Sequence, residues 1–144
     1  MDRRLASLAC LALAACASPA PPGPSPAARA APEVDWEKAR PVTVRLTDFA
    51  FTPDHLSFVA GVPVRLILIN AGSGTHDFSA PRFFAAAAYR QETAAAADGD
   101  VTLKAGQTTE LDLVPGQAGT YPLECTEFLH ATFGMTGMIA VTDR

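Results

Sequence analysis

The sequence predicts an all-β fold, a Greek-key β-sandwich or barrel of about seven to eight strands with one short helical insertion near residues 81–97. Three observations carry that expectation. Short segments between residues 42 and 142 alternate apolar with polar side chains, the period of a half-buried strand. Glycine and proline punctuate these segments at turn positions. One alanine-rich stretch breaks the alternation.

Taken in order, Val42, Val44 and Leu46 alternate with Thr43, Arg45 and Thr47 to give a first strand, which Phe51-Thr52-Pro53-Asp54 interrupts. Residues 56–59 begin a second. Gly61 turns the chain into residues 62–70, largely apolar on both faces as expected of a strand central in a sandwich. Residues 100–103, 109–114, 121–125 and 138–142 supply four more, with Gly106, Pro115-Gly116 and Gly119 as turn formers between them. Residues 81–97 open with proline and are rich in alanine, the best helix former. One or two helical turns are expected there, ending around Asp98-Gly99.

Ahead of these strands the composition changes twice. Residues 1–15 combine the basic start Met1-Asp2-Arg3-Arg4 with an apolar run too short to span a bilayer, and read as an export signal peptide. Leu13-Ala14-Ala15-Cys16 resembles the lipobox of bacterial lipoproteins, which implies that Cys16 is acylated and becomes the new first residue. Ala17 follows it, and by the sorting rule of such lipoproteins this implies the outer membrane. The plainer alternative is a signal cut nearby, with Cys16 a stray thiol. Residues 17–33 are almost entirely alanine, proline, serine and glycine, a composition that cannot bury a core. Residues 16–39 are therefore expected to form a lipidated cysteine and tether, and residues 40–144 a single folded domain.

Formal net charge is −4, or −5 once residues 1–15, with one acid and two bases, are removed. A mildly acidic chain without a basic cluster does not suit nucleic acid as a partner. Of three cysteines, Cys10 leaves with the signal and Cys16 is assigned to lipid. Cys125 is then the sole thiol of the folded domain. An idle thiol in an oxidising compartment is a liability, and a metal bond gives it a purpose.

Cys125 stands in Cys125-Thr126-Glu127-Phe128-Leu129-His130, followed by Ala131-Thr132-Phe133-Gly134-Met135, while His76 lies about fifty residues upstream. Two imidazoles, one thiolate and a weak thioether are the set that binds copper as a blue electron-transfer centre. His55, the third histidine, is expected to be exposed or hydrogen-bonded instead. Met138 competes with Met135 for the thioether role, since either can be a core methionine.

Phe51-Thr52-Pro53, Leu56, Gly61, Val64 and Asn70 resemble the opening half of the cupredoxins, the type 1 blue copper family of the plastocyanin and azurin kind. His76-Asp77-Phe78 resembles that family's first ligand loop. Gly119-Thr120-Tyr121, Cys125, His130, Gly134-Met135-Thr136-Gly137, Ile139 and Val141 resemble its closing half. The likeness covers residues 40–144. It implies His76, Cys125 and His130 as equatorial copper ligands and Met135 as the long axial one. It also implies that Asp77 and Thr126 hydrogen-bond to pin the two ligand loops together. Two departures stand out. Phe128-Leu129 replace the Pro-Gly that many relatives carry before the second histidine, and the helical insertion is longer than in the smallest members. Phe83-Phe84, within that insertion, are candidates either to roof the site or simply to pack on the barrel.

These readings lead to a monomeric, lipid-anchored periplasmic electron carrier cycling Cu(II)/Cu(I), with redox proteins docking near His130. Catalysis would need an open coordination position and a substrate pocket, and the sequence offers residues for neither, so an enzyme is not expected. Copper delivery is the alternative, but exchangeable delivery sites favour methionine or histidine clusters. Only Met1, Met135 and Met138 are present. A scaffold that kept the fold and lost its metal is a third reading, and the complete ligand set speaks against it.

Overall fold

Residues 34–90 and 99–144 are described in the computed structural model. A 3₁₀ turn at Trp36–Lys38 leads into β1 (Arg40–Thr47), β2 (Ala50–Thr52), β3 (His55–Val59), β4 (Val64–Asn70) and β5 (His76–Ser79). A short helix α1 (Pro81–Ala86) comes next, then β6 (Ala88–Tyr89), β7 (Asp100–Leu103), β8 (Thr108–Val114), β9 (Gly119–Glu124) and β10 (Thr136–Thr142). The strands form two five-stranded sheets, ordered β2-β1-β4-β8-β6 and β3-β10-β9-β5-β7. β1 pairs parallel with β4 and β3 parallel with β10, and the other pairings are antiparallel.

Side-chain alternation assigns each strand an inner face. β4, in the middle of its sheet, buries Val64, Leu66, Leu68 and Asn70 and leaves Arg65, Ile67 and Ile69 half-covered on its other face. Val44 and Leu46 of β1, Leu111 and Leu113 of β8, Leu123 of β9 and Ile139 and Val141 of β10 meet them in one core. Full burial of such a side chain is worth about 1.5–3 kcal/mol, so the shared core outweighs local propensity. Phe51 and Phe84 pack against Phe78, at ring-centroid distances of 5.8 and 5.9 Å, where the β5 strand enters that core.

The seven strands expected from alternation are present, and three more join them. β2 has only three residues, β6 only two, and all four residues of β5 are buried, so none shows a period of two. The helix is shorter than its alanine content suggests. α1 ends at Ala86 because the chain turns back as β6 to pair Ala88 with Val114 and Tyr89 with Leu113, and the Tyr89 hydroxyl donates to the Phe84 carbonyl at 2.8 Å. Sheet pairing overrides helix propensity there. Residues 91–98, part of the expected insertion, lie outside the described residues, as do the expected signal peptide, Cys16 and the expected tether through residue 33.

Candidate metal centre

The upstream ligand loop is fixed by Asn70, buried at the end of β4. Its Nδ2 donates to the carbonyls of Gly74 and Leu103, each at 2.8 Å, and its Oδ1 accepts from the Gly72 N–H at 2.9 Å. Residues 71–75 are thereby tied to β7 before the chain enters β5, whose first residue is His76. β5 pairs with β7 along its whole length but with β9 only at Ser79–Glu124, which leaves space beside His76 for the loop between β9 and β10.

Cys125 comes directly after β9, and its N–H donates to the Met135 carbonyl at 3.1 Å, closing a loop whose two ends lead into paired strands. Inside the loop His130 N–H bonds the Glu127 carbonyl at 3.0 Å and Met135 N–H returns to the His130 carbonyl at 3.0 Å. These bonds wrap the chain so that Cys125, His130 and Met135 converge. Leu129 takes a left-handed conformation, φ 65°, just where many relatives carry glycine, and Gly134 takes φ 103° before Met135. For a leucine that conformation is strained by about 1–2 kcal/mol.

His76, Cys125 and Met135 are fully buried and His130 is half-buried. The Nδ1 atoms of His76 and His130 stand 3.2 Å apart, and Cys125 Sγ lies 4.0 Å from the first and 3.4 Å from the second. Ligand bonds of about 2.0–2.1 Å to imidazole and 2.3 Å to thiolate, as at a zinc ion, place such donors roughly 3–4 Å apart. The observed spacings match. Thiolate and thioether suit Cu(I) and imidazole suits both oxidation states, so the donor set fits copper in chemistry as well as in size. Burial pushes the Cys125 thiol above its ordinary range, opposed by the N–H that Asp77 donates to Sγ at 3.3 Å. Loading a metal therefore displaces a thiol proton.

Around the ligands, the Thr126 hydroxyl donates to Asp77 Oδ2 at 2.5 Å, joining the two ligand loops; Asp77 Oδ1 is buried with no partner among the described residues. His76 Nε2 stands 3.2 Å from Asp48 Oδ1. A carboxylate only accepts, so the ring proton sits on Nε2 and Nδ1 presents its lone pair to the site. The Ser73 N–H and hydroxyl grip the same carboxyl at 3.2 and 3.0 Å and hold it below the usual carboxylate range. His130 meets the edge of Phe49 at 5.3 Å, and Phe49 meets Phe133 at 5.2 Å. Phe49, in the turn between β1 and β2, is also left-handed, with φ 68°.

The other candidates fall elsewhere. His55 is exposed and bonds Asp54 at 2.9 Å. Met138 is half-buried within β10, opposite Pro122 and His55. Phe83 and Phe84 do not roof the site: they lie in the core, Phe83 stacked on Phe58 at 5.6 Å and Phe84 against Phe78. Asp48 and Phe49 were not singled out by sequence, since nothing local marks a turn residue that reaches a histidine 28 positions away.

Two five-stranded sheets carrying a largely buried His-Cys-His cluster with an adjacent methionine define a cupredoxin fold with a mononuclear copper site. A family model described as Cupredoxin-like domain matches residues 5–141, and the chain belongs to that family. His76, Cys125, His130 and Met135 are arranged as a type 1 copper site. Among solved structures, the dithionite-reduced auracyanin of the photosynthetic bacterium Roseiflexus castenholzii is 15% identical, with a TM-score of 0.56 over 72% of this chain and 98% of that one. Auracyanin B is 24% identical, also with a TM-score of 0.56, over 78% of this chain and 94% of that one. At such identities the likeness is one of fold. No curated protein sequence matches the chain.

Proposed function

We propose that this blue copper protein is a one-electron carrier, exported and held at a membrane through acylated Cys16, and not an enzyme. The observation that carries the reading is a ligand set in which His76, Cys125 and Met135 are fully buried and only His130 is half-exposed. Copper bound there supplies the Cu(II)/Cu(I) couple. The chain's own part is to fix the donors in a frame that is the same before and after the electron moves: Asn70 holds one loop, the Cys125–Met135 backbone bond closes the other, and Thr126–Asp77 links them. Met135 is assigned as the axial sulfur and Met138 to the strand.

The open side is apolar. Phe128 is 85% exposed, Phe133 62%, Leu129 45% and Phe49 44%, and all four lie in or beside the turns that carry or touch His130. Such a patch suits brief contact with a redox protein, since weak redox encounters bury less than about 1,200 Å². Burial of Cys125 and Met135 also disfavours delivery of the ion to another protein, which needs ligands that exchange. Clefts lined by residues such as Arg82, Gln117 and Tyr121 lie beside α1 and contain none of the ligands. The anchoring is supported by Leu13-Ala14-Ala15-Cys16 and the proline-rich residues behind it.

Visible spectroscopy of the Cu(II) protein tests the reading. An intense blue or green thiolate-to-copper band is expected, and Cys125→Ser should abolish it because a hydroxyl cannot replace a soft thiolate. A serine variant with the same band would make the ligand assignment wrong. Mass spectrometry of the mature protein should find lipid on Cys16, and an unmodified N-terminus elsewhere would remove the anchor.

A further inference from the structure

Three loops approach the ligands, and only two of them supply ligands. The third, the turn between β1 and β2, sends Asp48 onto the far nitrogen of His76. We propose that Asp48 is a positioning residue of the copper site: its carboxylate holds His76 with the proton on Nε2, and by adding negative charge to that ring it lowers the reduction potential. The proposal rests on the copper reading above and deepens it.

The placement is built. Asp48 Oδ1 lies 3.2 Å from His76 Nε2, while Ser73 holds the same carboxyl through its N–H to Oδ1 and its hydroxyl to Oδ2. Asp48 therefore cannot swing away without losing two further bonds. Gly72 makes the approach possible: a Cβ there would run into His76 Nε2 and sit 2.7 Å from Asp48 Oδ1. His76 is fully buried while the Asp48 side chain is half-exposed, so the carboxylate remains hydrated behind the ring it touches. An outer carboxylate on a ligand histidine fixes its tautomer and raises its basicity toward the metal. Greater basicity and nearby negative charge favour Cu(II) over Cu(I). This contact is separate from the Asp77–Thr126 bond, which reaches the site from the thiolate side.

The alternative is that Asp48 merely caps the Ser73 turn, and a comparison of Asp48→Ala and Asp48→Asn separates the two. For Asp48→Ala the expected fall in Cu(II) affinity is about 10–100-fold, with a smaller fall for Cu(I). Each tenfold difference between the two oxidation states raises the potential by about 59 mV. Asp48→Asn keeps an acceptor oxygen, so the colour is retained while the potential still rises. In the copper-free protein, nitrogen NMR should show His76 protonated at Nε2 in the wild type and in Asp48→Asn, and mixed tautomers in Asp48→Ala. A blue wild type whose two variants keep or lower its potential overturns the inference, as does a copper-free wild type with the His76 proton on Nδ1. A wild type that binds Cu(II) without colour overturns the electron-carrier reading itself, and the inference falls with it.

Discussion

Asn70→Ala should unfold the ligand loop's support while touching no ligand. The side chain makes three hydrogen bonds, to the Gly74 carbonyl, the Leu103 carbonyl and the Gly72 N–H, all at 2.8–2.9 Å. Each is worth about 1 kcal/mol net, and a partner left buried and unpaired costs about 1–3 kcal/mol. Leu103 lies in the core, so its carbonyl cannot readily turn to water. The total loss is about 3 kcal/mol, within the range for breaking a buried polar network. For a domain of this size it lowers Tm by roughly 10–20 °C. Urea unfolding of the copper-free protein at unchanged m is the direct measurement. Asn70→Asp is the informative companion: it keeps one acceptor for Gly72 but puts an oxygen where Nδ2 donated to two carbonyls, and should be no more stable than the alanine variant. A loss below about 1 kcal/mol for alanine would refute the claim that these bonds carry the loop.

Other perturbations probe the remaining contacts. Leu129→Asp or Phe133→Asp should slow electron exchange with a physiological partner by roughly tenfold, equivalent to about 1.4 kcal/mol, and leave the visible spectrum unchanged; unaltered rates would place docking elsewhere. Asp77→Asn keeps the side-chain shape and an acceptor for Thr126 while removing the carboxylate, so a potential titration should show a rise. A fall, or a lost blue band with copper still bound, would assign Asp77 to loop geometry instead. Arg65 grips both Asp112 oxygens at 2.8 and 3.0 Å and, with Arg90, holds that carboxyl below its usual range. Its folded pKa lies below the unfolded one, so this contribution is present above about pH 4 and disappears as the pH falls through the folded value. Asp112→Asn should cost about 1–3 kcal/mol at neutral pH, with the arginines' partial hydration favouring the low end. The difference should shrink in acid, and an equal loss at both pH values would count against the pairing.

The ligands were legible because copper chemistry restricts residue types, and only three histidines and one thiol of the folded domain were available to choose among. β4 was legible because a strand in the middle of its sheet, buried on one face and half-covered on the other, is largely apolar on both. What sequence could not show was settled across the sheets. β5 is buried at every position and carries no alternation, so His76 looked like a loop residue rather than the start of a strand. The alanines after Pro81 favour helix in isolation, yet Ala88 and Tyr89 gain more by pairing with β8. Asp48 meets His76 only because the turn after β1 and the loop before β5 are brought together by the parallel β1–β4 pair.

Phe49 and Leu129 are the only non-glycine residues with positive φ among the described residues, and both flank His130. Glycine would accept either conformation freely, so two bulky side chains are retained at a combined strain of about 2–4 kcal/mol. Stability and surface chemistry thus pull in opposite directions at these two positions. An effort to make the protein more heat-resistant by relieving its strained backbone would start with glycine at Phe49 and Leu129. It would erode the apolar face proposed here as the electron's way out, a trade-off between robustness and activity written into two torsion angles.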